Sequence, residues 1–199
     1  GPGNMYVTEA KRQLFGYVDI DMLAGPTELV VIANRHSNAD FVVADLEAQL
    51  EHLGGLAILI TTSRELLKEV RKRVVKGFGI FAKNIDEAVA IANRIAPEHL
   101  QILTNNPLAI AKHIKNAGAV FLGPYSPTAL GDYAAGPSHV LPTLGTAKFA
   151  SGICLSDFVK KTHVISYSKR ALEKLSEPID KIANLEGLKK HADSIHIRF

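Results

Sequence analysis

The amino-acid sequence predicts an α/β fold: a mostly parallel β-sheet flanked by helices, with a helical carboxy-terminal tail added to it. Three observations carry that prediction. Short β-branched runs alternate with helical patterns between residues 29 and 122. The 199 residues are 47% hydrophobic and 22% charged, which suits a globular chain long enough to build a sizeable core. Helical periodicity then returns from residue 168, after a long Pro- and Gly-rich stretch, with an apolar face that has no place in the alternating pattern.

Taken in order, residues 29–33, 56–61, 79–82, 100–103 and 119–122 read as buried strands, and residues 37–53, 63–75, 85–95 and 107–116 as the helices between them. A helix between consecutive strands returns the chain to the same end of the sheet, so neighbouring strands run parallel. Ser37, with Asp40 three residues on, resembles a capping box at the start of the first helix, and Gly54-Gly55 stops it. Pro97 forbids regular helix beyond Ile95. Residues 123–145 lapse into a loop of a length that in a compact chain is usually functional or disordered. The tail helix runs from residue 168 to about 191, broken by Pro178, and residues 194–198 are expected to form a short strand.

The 23 basic and 20 acidic residues are interspersed and leave a net charge of +3, so no basic stripe indicates nucleic acid. Cys154 is the only cysteine, which rules out an intrachain disulfide and fits a reducing compartment. Between Ile153 and Leu155 it is expected to be a small core residue. No apolar run approaches the roughly 20 residues of a membrane span and no signal pattern opens the chain, so a cytoplasmic location is expected. Gly1-Pro2-Gly3-Asn4 precedes Met5, which reads either as a processing scar or as the cut edge of something longer.

Glu98 and His99 set a carboxylate beside an imidazole on the corner after Pro97. Each group can be tuned by its own surroundings, which suits chemistry that takes protons from two different oxygens; the alternative is a solvated loop that happens to hold two polar residues. Asp45, Gln49 and His52 fall on one face of the helix over residues 37–53, together with Val42 and Leu46. That face is either a partly exposed helix edge or a ligand pair, Gln49 and His52, with Asp45 behind it, although glutamine is an uncommon zinc ligand. Asp132 and His139 sit on a glycine-punctuated loop, where they either approach a ligand closely or stabilise turns. Glu186 and His191 share a helical face poorly, and Glu186-Gly187 suggests a helix break. His36, His113, His163 and His196 stand singly and read as structural or solvated.

In that order along the chain, Ala24-Gly25-Pro26-Thr27-Glu28, Gln49-Leu50-Glu51-His52, Ala96-Pro97-Glu98-His99-Leu100, Gly131-Asp132-Tyr133, His139-Val140-Leu141-Pro142-Thr143, and Glu186-Gly187-Leu188 followed by His191 resemble the motifs of histidinol dehydrogenases. The similarity runs the length of the chain. The resemblance implies an incomplete Rossmann-like architecture divided into a remnant of an NAD-binding domain (1–22), an incomplete zinc- and substrate-binding α/β domain (23–153) and a tail (154–199) exchanged between the subunits of a homodimer. It implies one zinc ion per subunit on Gln49, His52, Asp132 and His191, the last supplied by the neighbouring subunit, with histidinol completing the coordination. Thr27, His139 and Glu186 join these four and His99 as substrate-contacting positions. Asn4 is implied as a contact to NAD.

The implied activity is the NAD-dependent four-electron oxidation of L-histidinol, through L-histidinal, to L-histidine. His99 is expected to take the alcohol proton and Glu98 to activate the water that attacks the aldehyde. Zinc would chiefly hold and orient the substrate, since the hydride chemistry belongs to the nicotinamide. Against the family pattern, an amino-terminal part carrying most of the NAD-binding domain is missing, and the connection from His52 to Glu98 lacks a helix after Lys76. These 199 residues alone are therefore expected to show little or no dehydrogenase activity. The alternatives are a short non-catalytic homologue that binds zinc or an imidazole ligand, and a dimerisation module.

Overall fold

The computed structural model describes residues 3–199, so Gly1 and Pro2 of the opening motif lie outside the described residues. The chain divides into two units, Gly1–Phe158 and Val159–Phe199. The first is organised by a five-stranded sheet of β1 (Glu28–Ala33), β2 (Leu56–Thr61), β3 (Phe78–Phe81), β4 (His99–Leu103) and β5 (Ala119–Leu122), in the order β3-β2-β1-β4-β5. Every strand pair in it is parallel. From β1 the chain steps outward through α2 (Ala39–Leu50) and α3 (Arg64–Arg73), crosses back through α4 (Ile85–Ile95), and steps outward on the other side through α5 (Pro107–Ala111). Because parallel crossovers keep one hand, the two directions of travel put their helices on opposite faces of the sheet.

The core is split accordingly. On one face Leu29, Val31, Leu59 and Leu103 pack with Val42 and Leu46 of α2 and Leu66 and Val70 of α3. On the other, Val30, Ile32, Ile60, Leu100 and Ile102 pack with Ala88, Val89 and Ala92 of α4. A strand covered on both sides buries both of its alternating sets, which is why β1 is buried throughout and reads as an unbroken apolar run.

The predicted parallel α/β sheet is therefore present, and β2, β5 and α4 have the predicted bounds. β1 and β4 each begin one residue early, which brings Glu28 and His99 into the sheet. The cap of α2 is Asn38, whose side chain accepts from Asp40 N–H; Ser37 instead accepts from Asn34 N–H and donates to Leu103 C=O. α2 ends at Leu50, so His52 lies past the helix and not on its face. α5 stops short because Asn93 Oδ1 accepts from Lys115 and Asn116 N–H, holding that segment in a turn.

Two helices were not foreseen. α1 (Met5–Leu14) buries none of its residues, so no apolar stripe marked it. α6 (Thr128–Tyr133) lies inside the expected loop and carries Asp132. Gly131 there rests on Phe121: a Cβ would stand 2.6 Å from that ring. Cys154 is exposed, contrary to the core position expected for it, because residues 150–154 form no strand and the Cys154 N–H turns to the Asp157 carboxylate.

The second unit contains α7 (Lys169–Leu185), capped by Ser168, and α8 (Lys189–His196). Pro178 does not break α7; it stands on an exposed helix whose freed carbonyl water can solvate. The break comes at Gly187, with φ 74°, where Leu188 N–H reaches back to Ala183 C=O at 2.8 Å and Gly187 N–H to Asn184 C=O at 3.0 Å. The strand expected at residues 194–198 is instead the end of α8, since helical spacing lets α8 bury Ala192. Among the described residues no helix is long and apolar enough to cross a membrane.

Candidate functional site

The site forms at the edge of the sheet where β1 and β4 begin. α4 stops at Ile95 because Ala96 turns left-handed (φ 54°) and Pro97 follows it. The corner is then tied to the start of β5: Gly118 N–H donates to Pro97 C=O and Ala119 N–H to Glu98 C=O, both at 2.9 Å. Gly118 is required by this approach, since a Cβ there would lie 2.6 Å from the Glu98 carbonyl oxygen.

Glu98 and His99 are only 7% and 5% exposed, which sets aside the solvated-loop alternative. Glu98 Oε2 accepts from Glu28 N–H at 3.1 Å and lies 3.6 Å from His99 Nδ1, which is buried without a hydrogen-bond partner. His99 Nε2 stands 3.9 Å from Asp132 Oδ1, and the ring tilts against Phe121 with centroids 5.9 Å apart. The imidazole thus sits between two carboxylates, each just beyond hydrogen-bond reach, so a small shift toward either gives a proton a route out.

The loop opposite the corner is fixed by the residues leading into β1. Leu144 and Gly145 have φ of 55° and 73°, and Thr146 N–H closes on Thr143 C=O at 3.1 Å, which makes a type I′ turn. A leucine in that conformation costs about 1–2 kcal/mol. The turn is held by Gly25 N–H donating to Thr143 Oγ1 at 2.6 Å and by Leu144 N–H donating to Glu28 Oε1 at 3.0 Å. Gly25 leaves room for the leucine: a Cβ at that position would stand 2.4 Å from Leu144 Cδ1. Burial pushes the Glu28 carboxyl above the usual range; the amides of Leu144 and Glu98 oppose the rise, and the Glu98 carboxylate adds to it.

A cavity of about 180 Å³ brings together Thr27, His52, Glu98, His99, Asp132 and His139. Gln49 is buried beside it, its Nε2 donating to Thr27 Oγ1 at 3.2 Å. A second, mainly apolar cavity of about 350 Å³ lies against β5 and shares His99 and His139 with the first. Asp45 does not stand behind Gln49 and His52 as the helical spacing suggested. Burial pushes its carboxyl above the usual range, and the neighbouring Gln101 side chain on β4 opposes the rise.

The remaining sites named from sequence lie elsewhere. Asn4 is exposed and caps α1, its side chain accepting from Tyr6 and Val7 N–H. Glu186 and His191 are exposed within the second unit. His36, His113, His163 and His196 are exposed, as solvated residues would be. Among the described residues no three His, Cys, Asp or Glu side chains converge as a metal site. The buried Glu28 was quoted within a motif but given no role from sequence; a charged residue at the head of an apolar strand was the available signal.

Residues 1–199 match the family profile of histidinol dehydrogenase. Similar proteins include the histidinol dehydrogenases of Clostridium acetobutylicum, 46% identical over 218 residues, and of Caldanaerobacter subterraneus subsp. tengcongensis, 49% identical over 218 residues. Each alignment covers 100% of this chain and 51% of the relative, so the chain spans about half the length of the curated relatives it matches. The crystal structure of histidinol dehydrogenase from Elizabethkingia anophelis superposes with a TM-score of 0.90 at 36% identity, covering 100% of this chain and 50% of that one.

Proposed function

This chain belongs to the histidinol dehydrogenase family, and from that premise we propose that its cavity at the start of β1 and β4 is the substrate and acid/base centre for oxidising L-histidinol, through L-histidinal, to L-histidine. The observation that carries the reading is the single cavity lined by Thr27, His52, Glu98, His99, Asp132 and His139, with the carboxylate and imidazole of the corner buried in its wall.

His99 accepts the proton of the substrate alcohol as hydride leaves the carbon, and the neighbouring Glu98 and Asp132 carboxylates stabilise the imidazolium that results. Glu98 then takes a proton from the water that adds to the aldehyde. Thr27 and His139, which both line the cavity, orient the substrate, and Glu186 would reach it from the tail of a second copy. Burial of Glu98 and His99 keeps bulk water from competing with the one reacting molecule.

The donor set fits zinc. Gln49, His52 and Asp132 supply an amide oxygen, an imidazole and a carboxylate; His52 and Asp132 line the same cavity, and Gln49 is tied to Thr27 of its lining through its NH₂. These three would hold the ion together with His191 of a second copy, and Asn4 would contact the dinucleotide. When bound, zinc orients the amino and imidazole nitrogens of histidinol and NAD accepts the hydride. A homodimer is supported by apolar residues left exposed in the tail unit, among them Val164, Ile165, Leu185 and Ile197. A cytoplasmic location accords with a pyridine-nucleotide oxidoreductase.

Calorimetric titration with L-histidinol, on the protein with and without added Zn²⁺, tests the reading alongside NADH formation. Binding that requires the ion, with little or no NADH formed by these 199 residues alone, is the expected result. NADH formed by this species would overturn the expectation of inactivity, and histidinol binding indifferent to zinc would overturn the assignment of the cavity.

A further inference from the structure

Glu28 is the one buried titratable group at this site to which the proposed chemistry gives no task. It heads β1 at 7% exposure, and among the described residues no cation pairs with it. A carboxyl costs free energy to bury, and an apolar residue would serve the sheet better, so its retention asks for a reason in its contacts. Those contacts reach both sides of the cavity. Its carboxylate Oε1 accepts from Leu144 N–H at 3.0 Å, and its backbone N–H, present whatever the side chain, donates to Glu98 Oε2 at 3.1 Å. Leu144 holds a left-handed backbone at the end of the segment that bears His139 and Thr143. Oε2 of Glu28 is buried without a partner.

We propose that Glu28 is a positioning residue: its side chain latches the Leu144 turn onto a strand start whose backbone already holds Glu98, so that the acid/base pair and the loop wall of the cavity keep a fixed separation. The inference rests on the reading of Glu98 and His99 as the acid/base pair. What the carboxyl supplies to the turn is an acceptor of the right length, not a charge. Burial, which favours its neutral form, is consistent with that.

The test compares Glu28→Gln, Glu28→Asp and Glu28→Ala in the full chain, with two readouts. Hydrogen exchange at the Leu144 amide reports the latch without any assay of activity. Glu28→Gln keeps an acceptor at the same reach and should leave this exchange and the histidinol affinity within about threefold. Glu28→Asp keeps the charge but is one methylene short, and should accelerate Leu144 exchange at least about tenfold, as should Glu28→Ala. Both should weaken zinc-dependent histidinol binding about tenfold, since the corner and the loop wall no longer keep their separation.

A Gln variant as impaired as the Ala variant would overturn the proposal, as would an Asp variant indistinguishable from the parent. Should Glu28→Ala fail to fold, the contrast between Gln and Asp still decides. Histidinol binding indifferent to zinc in the unsubstituted protein would overturn the functional reading instead, and Leu144 exchange would still report whether the latch exists.

Discussion

Replacing Gly118 by alanine probes the corner directly. The added Cβ would lie 2.6 Å from the Glu98 carbonyl oxygen and 3.2 Å from both Leu141 Cβ and Pro142 Cδ. An ordinary C···O contact is about 3.3 Å or longer, so roughly 0.7 Å of movement is demanded of a backbone atom. That carbonyl also accepts from Ala119 N–H at 2.9 Å, so it cannot retreat without stretching the bond that starts β5. Overpacking costs about 1–3 kcal/mol and the weakened hydrogen bond about 1 kcal/mol more, for a total of about 2–4 kcal/mol. In a unit of this size each kcal/mol moves Tm by about 2–4 °C, so Gly118→Ala should melt roughly 4–16 °C lower. Differential scanning calorimetry reads the shift, and titration with histidinol and zinc reads the displaced corner as weakened affinity. A Tm within about 2 °C of the parent, with unaltered affinity, would refute the claim that this carbonyl is rigidly held.

Three other perturbations follow from the same structure. Asp45→Asn should raise stability at neutral pH: the folded-state carboxyl sits above its unfolded value because of burial, so stability is fully present below about pH 4 and is lost as pH rises through the folded value. Melting curves against pH should show the Asn variant's advantage vanish in acid; an advantage that grows in acid would contradict the sign. Ile32→Ala, at a fully buried position in the centre of the sheet, should cost about 2–5 kcal/mol in urea unfolding with the m-value unchanged. His52→Ala, at an exposed position past the end of α2, should alter stability by less than about 0.5 kcal/mol yet abolish the zinc dependence of histidinol binding, and retention of that dependence would remove His52 from the ion's ligands.

Much of the fold was legible because its central strands β1, β2 and β4 are buried on both faces. Residues 56–61 and 119–122 stand out as short apolar runs, and 85–95 has the spacing of a helix with a proline just beyond it. Less legible were elements whose stability does not come from an apolar stripe. α1 buries nothing, and α6 is six residues held over Phe121 by the absence of a side chain at Gly131. At the site, residue types and order pointed to Thr27, His52, Glu98, His99, Asp132 and His139, which line one cavity. Spacing misled for Asp45, because helical periodicity fixes which face a residue is on but not which strand it meets there. Glu28 passed unremarked since its two partners, Glu98 and Leu144, are 70 and 116 residues away along the chain.

The cavity lies where strands begin, so the helices nearby are ending. α2 finishes at Leu50 beside Gln49 and His52, and α4 finishes at Ile95 beside the corner. Each helix brings the negative end of its dipole, about half an elementary charge, to the same small space. The backbone itself therefore makes this an electronegative pocket before any carboxylate is counted, receptive to a metal ion or an ammonium group and hostile to phosphate. A cation enters such a pocket with the field and an anion against it.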